Sequence, residues 1–239
     1  MTRRFDLAKV VAAYVAQVRL TASWLEDQDL TVPSVLPAWT RAEVVDHVCR
    51  SGRQVVELAP GRTTEAPLSI GDYTSAYAAA ADEIAERSRG KAMLDLAAMA
   101  DEFEAFFATQ TEHVVPAPRG PIRLSDLVAT RVLEVVAHSL DLDVEAPMHR
   151  EALATVVRLL AGALAERHPG RAVELRVPPF VAVQLLEGTT HRRGTPPAVV
   201  ETDPVTWIRL AVGRIGWAEA PVWASGERSD LSGILPVLS

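Results

Sequence analysis

Apolar residues return at spacings of three and four along the chain up to about residue 167, and this spacing constrains the fold more than any other feature of the sequence. It is the repeat of an α-helix that buries one face. The pattern predicts helices at residues 5–27, from residue 40 onward, at 71–87, 92–112 and 125–145, and one more that ends at about residue 168. We therefore expect the first part of the protein to be all-helical.

The start of the second helix is marked by Thr40 and Glu43, which have the spacing of a capping box. In this motif the hydroxyl and the carboxylate each accept a hydrogen bond from a backbone N–H that the helix leaves unpaired. Between the first helix and this one, VPSVLPAW is predicted to be a loop because it contains two prolines.

Beyond residue 170 the pattern changes to short β-branched runs, VELRV, FVAVQLL and PAVVET, separated by glycine, threonine and proline. Such runs are typical of strands. WIRLAVGRI is predicted to be a helix, entered through Asp203 and Pro204, because proline is favoured in the first turn. The fold class predicted is thus α+β in two domains, a helical domain at residues 1–147 and a small α+β domain at 148–239.

The net charge and the length of the apolar runs indicate which partners the protein is expected to bind and where in the cell it is expected to be. The 24 basic and 31 acidic residues give a net charge of −7 with no long block of one sign, so nucleic acid and anionic membranes are not expected partners. The apolar runs are shorter than the roughly 20 residues that cross a bilayer, and no membrane span is expected. Charged residues interrupt the apolar stretch near the start, which argues against a signal peptide and for a cytoplasmic protein.

Cys49 is the only cysteine of the sequence. The chain therefore forms no intramolecular disulfide, and any metal site must be built from histidine and carboxylate groups. Cys49 lies in a helix with several inward-facing valines. A buried, inert thiol is the favoured interpretation, and a reactive nucleophile is the alternative.

The stretch RVLEVVAHSLDL, residues 131–142, places a carboxylate and an imidazole in an otherwise apolar helix. Glu134 and His138 are four residues apart and therefore lie on the same helix face. Because a buried unpaired charge is costly, a metal ion is the simplest reason to hold both groups there. A buried ion pair or a pair on the helix surface remains the alternative at this point.

His47 is the best candidate for a third ligand, because valines at positions 44, 45 and 48 indicate that its helix is largely buried. A satisfied core histidine is the alternative interpretation. Two histidines and one glutamate would hold zinc with a fourth position open to water or substrate, as in catalytic rather than structural zinc sites.

Three further polar residues lie at helical spacing from these candidate ligands. Arg131 is a candidate partner for Glu134 or a clamp for a substrate carboxylate. Asp141 is placed to accept the remaining ring N–H of a ligating histidine. Each also has an interpretation as a charge on the helix surface, and for Asp46 that interpretation is the favoured one.

LPAWTRAEVVDHV, followed about ninety residues later by TRVLEVVAHSLDLD, resembles the mycothiol-dependent maleylpyruvate isomerase family over the N-terminal ~145 residues. The resemblance implies a DinB-like four-helix bundle that holds a divalent metal, usually zinc, through His47, Glu134 and His138. It also implies that the metal activates mycothiol as a thiolate, which metal coordination favours by lowering the thiol pKa. In the isomerase the thiol would add to a conjugated cis double bond, permit rotation about the resulting single bond, and leave.

The C-terminal part resembles the small sterol-carrier-protein-like domain often fused to this bundle, on the segments VELRVPP, FVAVQLLEG, ETDPVTWIRLAVGR and ASGERSDLSGIL. The resemblance implies that an arginine of this domain helps the active site, and Arg214 and Arg228 are the candidates. Arg131, Asp141 and Arg214 are thus the catalytic residues predicted. The expected partners are a small-molecule substrate and a low-molecular-weight thiol. The competing hypothesis is a non-catalytic lipid or small-ligand carrier with a structural metal site.

Overall fold

The computed structural model describes residues 4–75, 95–188 and 198–238. In these residues seven α-helices are present: α1 (Leu7–Leu25), α2 (Arg41–Leu58), α3 (Ile70–Ser75), α4 (Leu96–Phe107), α5 (Leu124–Leu142), α6 (Arg150–Arg167) and α7 (Pro204–Ala211). The strands are β1 (Val114–Ala117), β2 (Gly120–Arg123), β3 (Val173–Val177), β4 (Val181–Leu185), β5 (Ala198–Glu201) and β6 (Trp223–Ser225). Short 3-10 helices lie at Trp217–Glu219 and Ser232–Ile234.

The described residues form two compact units. One comprises residues 4–68 and 95–155, and the other comprises 69–75, 156–188 and 198–238. The chain passes from the first unit to the second within α6, and the short helix α3 belongs to the second unit. The α+β class and the two-domain organisation predicted from the sequence are confirmed, whereas the boundary near Pro147 stays a prediction.

Four helices of the first unit, α1, α2, α4 and α5, pack as a bundle in which α1 and α2 each contact both α4 and α5. Helix α5 is buried on nearly all sides, as expected of a helix that is apolar around most of its circumference. Its few polar side chains are therefore held in the interior of the bundle, and the candidate ligands lie among them.

The ends of the bundle helices follow from local capping. Asp6 begins α1 by accepting the N–H of Lys9, and the predicted capping box of Thr40 and Glu43 begins α2. The helix predicted at 92–112 is shorter than expected, because Asp95 accepts the N–H groups of the first turn and the helix ends at Phe107. The helix predicted at 71–87 begins at Ile70, and its residues from 76 onward lie outside the described part of the chain.

The first unit is not entirely helical, which corrects the all-helical prediction. The segment VVPAPRGPIR, part of which was predicted to be a loop, forms an antiparallel hairpin of β1 and β2 before α5. Gly120 closes its turn with φ of 123°, a conformation that glycine adopts more readily than other residues. Val115 and Ile122 face each other and are buried, which explains why this proline-rich segment forms strands.

The second unit contains a four-stranded sheet in the order β4-β3-β5-β6. β3 is antiparallel to β4 and parallel to β5, and β5 is antiparallel to β6. In β3, Val173, Leu175 and Val177 are buried while the two residues between them are partly exposed, the alternation of a sheet with one buried face. Helix α7 begins with Asp203 as its cap and contributes Trp207 and Ile208 to the core. Among the described residues, no helix is both long and apolar enough to cross a membrane.

Candidate metal centre

His47, Glu134 and His138 meet inside the bundle, where α2 faces α5. The Nε2 atoms of His47 and His138 each lie 3.3 Å from the same atom, Oε2 of Glu134. One ligand atom from each of the three residues lies within 4.8 Å of the others. Helix spacing places Glu134 and His138 on one face, whereas His47 joins them only because α2 packs against α5.

The spacing of these atoms suits a tetrahedral metal ion. Bonds of about 2.1 Å to nitrogen or oxygen place neighbouring ligand atoms about 3.4 Å apart. The two distances of 3.3 Å are close to that value. The three side chains are 12% to 14% exposed, so the group is close to the surface of the bundle and solvent reaches part of it.

Asp141 orients one of the two histidines. Its Oδ2 lies 2.9 Å from Nδ1 of His138, and the aspartate side chain is only 1% exposed. A carboxylate at this distance holds a proton on Nδ1, so that Nε2, on the opposite side of the ring and directed toward Glu134 and His47, is the nitrogen that could bind a metal ion. This is the orientation that a metal-ligating histidine requires.

The loop before α2 closes one side of the site. The N–H of Val35 donates to the carbonyl oxygen of Asp141 at 2.7 Å, and Arg41 forms an ion pair with Asp143 at 3.2 Å. These contacts attach the loop and the first residue of α2 to the end of α5. Trp39, in the same loop, presents its ring edge-on to His47 with the centroids 5.8 Å apart. The indole thus borders the site.

The ionisation states of the three candidate ligands are coupled. Burial disfavours a charge on Glu134, but the hydrogen bonds with His138 and His47 and the charge of Arg131 hold the pKa of its carboxyl well below the usual value. Burial likewise opposes protonation of His138, but the hydrogen bonds with Asp141 and Glu134 prevail and raise its pKa to about 9. Burial lowers the pKa of His47. Near neutral pH the metal-free group thus contains a positively charged His138 with a proton on each ring nitrogen, an ionised Glu134 and a neutral His47, and a metal ion would replace the proton on Nε2 of His138.

Arg131 lies behind Glu134 and is 5% exposed. Its Nη2 is 3.8 Å from Oε1 of the glutamate, the oxygen that does not face the histidines. Its Nε and Nη2 donate to Oγ1 of Thr130 at 3.2 and 3.1 Å. Thr130 is a functional candidate that sequence reasoning missed, and its position next to Arg131 was the only signal for it.

Arg214 and Arg228 belong to the second unit, and Asp46 belongs to α2 of the first unit. Arg214 follows α7 in the second unit, is exposed, and donates to the carbonyl oxygen of Val212 at 3.4 Å. Arg228 of the same unit donates to the carbonyl oxygen of Glu187. Asp46 is not a surface charge as predicted, because it is 1% exposed and forms an ion pair with Arg50 one turn later in α2.

The single thiol is buried beside this region. Cys49 is fully buried, and burial raises its pKa to about 12. A thiol with such a pKa is protonated at neutral pH and is a poor nucleophile. The environment of Cys49 therefore matches the interpretation of an inert buried thiol, and sulfur chemistry at this site would need a thiol from outside the chain.

Both parts of the chain match families of known proteins. Residues 11–143 match the family described as the mycothiol maleylpyruvate isomerase N-terminal domain, and residues 149–237 match the family described as bacterial SCP ortholog. A sequence comparison with curated proteins finds no significant match.

Two crystal structures share the fold. One is of the mycothiol-dependent maleylpyruvate isomerase, with 20% identity and a TM-score of 0.56, and the alignment covers 92% of this chain and 93% of that one. The other is of a histidine-to-alanine mutant of that isomerase, with 19% identity, a TM-score of 0.56 and the same coverage. At this level of identity the likeness concerns the fold.

Proposed function

The chain belongs to the family of the mycothiol maleylpyruvate isomerase N-terminal domain, and from this premise we propose that it is a metal-dependent enzyme that uses mycothiol on a small electrophilic substrate. The reaction is either isomerisation of a maleylpyruvate-like diacid or transfer of the thiol to another electrophile. The observation that carries the proposal is the convergence of three ligand atoms from His47, Glu134 and His138 at one partly exposed point.

The composition of the site supports this function over one that uses the protein's own sulfur. A divalent metal, for which we propose zinc, lowers the pKa of a thiol that it coordinates and so supplies a thiolate at neutral pH. Cys49 is fully buried and cannot serve in that role. A thiol cosubstrate therefore fits a chain whose only cysteine is inaccessible.

Each protein group at the site has a proposed task. Nε2 of His47, Oε2 of Glu134 and Nε2 of His138 are the proposed metal ligands. Asp141 keeps the proton of His138 on Nδ1 and so fixes the orientation of the ring. The indole of Trp39 shields one side of His47 from water.

We extend the proposal to the domains and to the substrate. Residues 1–147 are the metal-binding domain and 148–239 the sterol-carrier-protein-like domain, which the limits of the two family matches at 143 and 149 support. Arg214 is the proposed contact for a substrate carboxylate, supported by its exposure and its permanent charge. An Arg214→Ala variant is expected to raise KM more than it lowers kcat.

The test compares the purified wild type with His138→Ala, and uses Cys49→Ala as the matched control. Metal content is measured by mass spectrometry. Activity is followed with mycothiol and either maleylpyruvate or 1-chloro-2,4-dinitrobenzene, which separates isomerase from transferase. We expect about one equivalent of metal and mycothiol-dependent turnover in the wild type and in Cys49→Ala, and neither in His138→Ala. A wild type without divalent metal but with copurified lipid would contradict the proposal in favour of a carrier.

A further inference from the structure

The two carboxylate oxygens of Glu134 have different surroundings. Oε2 faces Nε2 of both His47 and His138 at 3.3 Å. Oε1 faces the guanidinium of Arg131, with Nη2 at 3.8 Å. One oxygen thus points to the candidate metal position and the other to a buried cation.

Hydrogen bonds to Thr130 hold the guanidinium of Arg131 in this position. Its Nε and Nη2 both donate to Oγ1 of Thr130, and the same hydroxyl donates its own hydrogen to the carbonyl oxygen of Leu127 at 2.6 Å. A threonine hydroxyl has one hydrogen to donate and two lone pairs with which to accept, so this arrangement uses all of its capacity. Thr130 is fully buried. The guanidinium therefore has little freedom to rotate away from Glu134.

The burial of Arg131 also decides between its two predicted roles. A clamp for a substrate carboxylate must present its donors to the space that the substrate enters. The Arg131 side chain is 6% exposed, less than half the exposure of Glu134, and its donors on the Thr130 side are already engaged. The side chain is suited to contact the glutamate and poorly suited to contact a substrate.

We propose that Arg131, fixed by Thr130, is a positioning residue that engages Oε1 of Glu134 and thereby reserves Oε2 as the single oxygen that the carboxylate offers to the metal. This inference rests on the proposed metal site. A carboxylate that binds through one oxygen leaves more of the coordination sphere open than one that binds through two. Arg131 would then preserve the open position that a thiol or substrate needs.

Charge and geometry predict opposite effects on metal affinity, and this makes the proposal testable. A guanidinium near a divalent cation repels it, so if Arg131 acted only through its charge, removing it would strengthen metal binding. If Arg131 positions the carboxylate, removing it weakens binding, because residues that orient metal ligands contribute about 10- to 100-fold to affinity.

The experiment measures the Zn²⁺ affinity of the metal-free 239-residue chain by competition with a chelating dye. Arg131→Met is expected to lower the affinity about 10- to 100-fold. Arg131→Lys, which keeps the charge but not the two-donor contact with Thr130, is expected to lower it in the same direction. Thr130→Val removes only the hydroxyl and serves as the second test if the arginine variants do not fold, with an expected loss of severalfold. Thr155→Val is its control, a buried threonine whose hydroxyl donates to the carbonyl of Glu151 within its own helix.

A second measurement reads the coordination directly. Co²⁺ bound in place of zinc gives stronger visible absorption in four-coordinate sites than in sites with more ligands. We expect Arg131→Met to weaken this absorption, because Glu134 is then free to bind through both oxygens. Unchanged or tighter Zn²⁺ binding by Arg131→Met and Thr130→Val, with an unchanged Co²⁺ spectrum, would overturn this inference while leaving the proposed function standing. A wild type that binds no metal would overturn both.

Discussion

The surroundings of Cys49 determine the reactivity of its thiol. It lies only two residues from a candidate metal ligand, yet its side chain is fully buried in the bundle. Burial in an apolar environment disfavours the thiolate, and the pKa of Cys49 rises to about 12. Although Cys49 is close to His47 in the sequence, its thiol is therefore not expected to take part in the proposed reaction.

We expect the native protein to be unreactive toward a disulfide reagent for this reason. At pH 8 the thiolate fraction of Cys49 is very small, and the side chain is also inaccessible. Ellman's reagent should therefore react with one thiol rapidly in urea and only slowly under native conditions. Rapid release of one equivalent of chromophore from the native protein would show that Cys49 is open to solvent.

His138 gives the metal-free protein a stability that depends on pH. Its folded pKa of about 9 lies above the unfolded value of 6.5. The contribution to stability is therefore fully present below pH 6.5 and is lost as pH rises through about 9. We expect the difference in unfolding free energy between the wild type and His138→Gln, both metal-free, to shrink across this range by on the order of 1 to 3 kcal/mol.

Urea unfolding at several values between pH 6 and 10 measures this difference, and taking it between two variants cancels the titration of groups elsewhere in the chain. Glu134 is expected to contribute to stability in the opposite pH range. Its folded pKa lies well below the usual value, so its contribution is present above the unfolded pKa and is lost as pH falls. A difference between the wild type and His138→Gln that stays constant up to pH 10 would contradict the assignment of His138.

At the scale of the elements, a buried polar network ties the connection between α5 and α6 to α1. Gln17 donates to the hydroxyl of Thr21 at 3.0 Å and to the carbonyl oxygen of Pro147 at 3.1 Å, and it accepts the N–H of His149 at 2.7 Å. Thr21 in turn lies 2.9 Å from Oγ of Ser139 on α5. One amide thus satisfies backbone groups that the turn between the helices would otherwise leave unpaired.

Gln17→Leu is expected to lower the free energy of unfolding by about 2 to 3 kcal/mol, because two backbone groups lose their partner and the hydroxyl of Thr21 keeps only its contact with Ser139. Urea denaturation followed by circular dichroism measures the loss. Gln54→Leu makes the same chemical change at an exposed position of α2 and should alter stability little. Equal effects of the two substitutions would show that the network contributes nothing beyond helix propensity.

Side chains of α1 and α4 meet the backbone of α2 at Gly52 in the interior of the bundle. Tyr14 of α1 is fully buried, and its hydroxyl donates to Sδ of Met99 on α4 at 3.3 Å. Gly52 of α2 faces this pair, and a Cβ there would collide with the tyrosine hydroxyl and lie 2.7 Å from Sδ. A Cβ at this position would force the Tyr14 hydroxyl and the Met99 thioether to shift, so Gly52 leaves the space that this hydrogen-bonded pair occupies.

At the scale of the whole molecule, metal binding is expected to contribute to stability, because the proposed ligands come from two helices that are far apart in sequence. An ion that binds only the folded state stabilises it by about 2.7 kcal/mol when its free concentration is one hundred times Kd. We expect added Zn²⁺ to raise the thermal unfolding temperature of the chelator-treated wild type and to leave that of His138→Ala unchanged. An equal rise in both proteins would indicate that the ion binds elsewhere.

Individual elements show what could and could not be predicted before the structure. The strand VELRV was predicted at its exact place, since alternation along one strand is a local property. β6 was missed, because it is a three-residue edge strand that is exposed and has no such alternation. The hairpin before α5 was missed because prolines favour a loop interpretation, and only the burial of Val115 and Ile122 against the bundle explains the strands.

The sequence by itself determined the main helices and the strands β3 to β5, the capping box of α2, and the common face of Glu134 and His138, because each of these depends on residues close together in the chain. The tertiary structure decided which groups meet across the bundle. It brought His47 to the other two candidate ligands, buried Asp46 and Cys49, and placed Arg131 next to one oxygen of Glu134. Such contacts depend on how α2 and α5 pack, and helix packing is fixed by the sum of many side-chain contacts that no local pattern specifies.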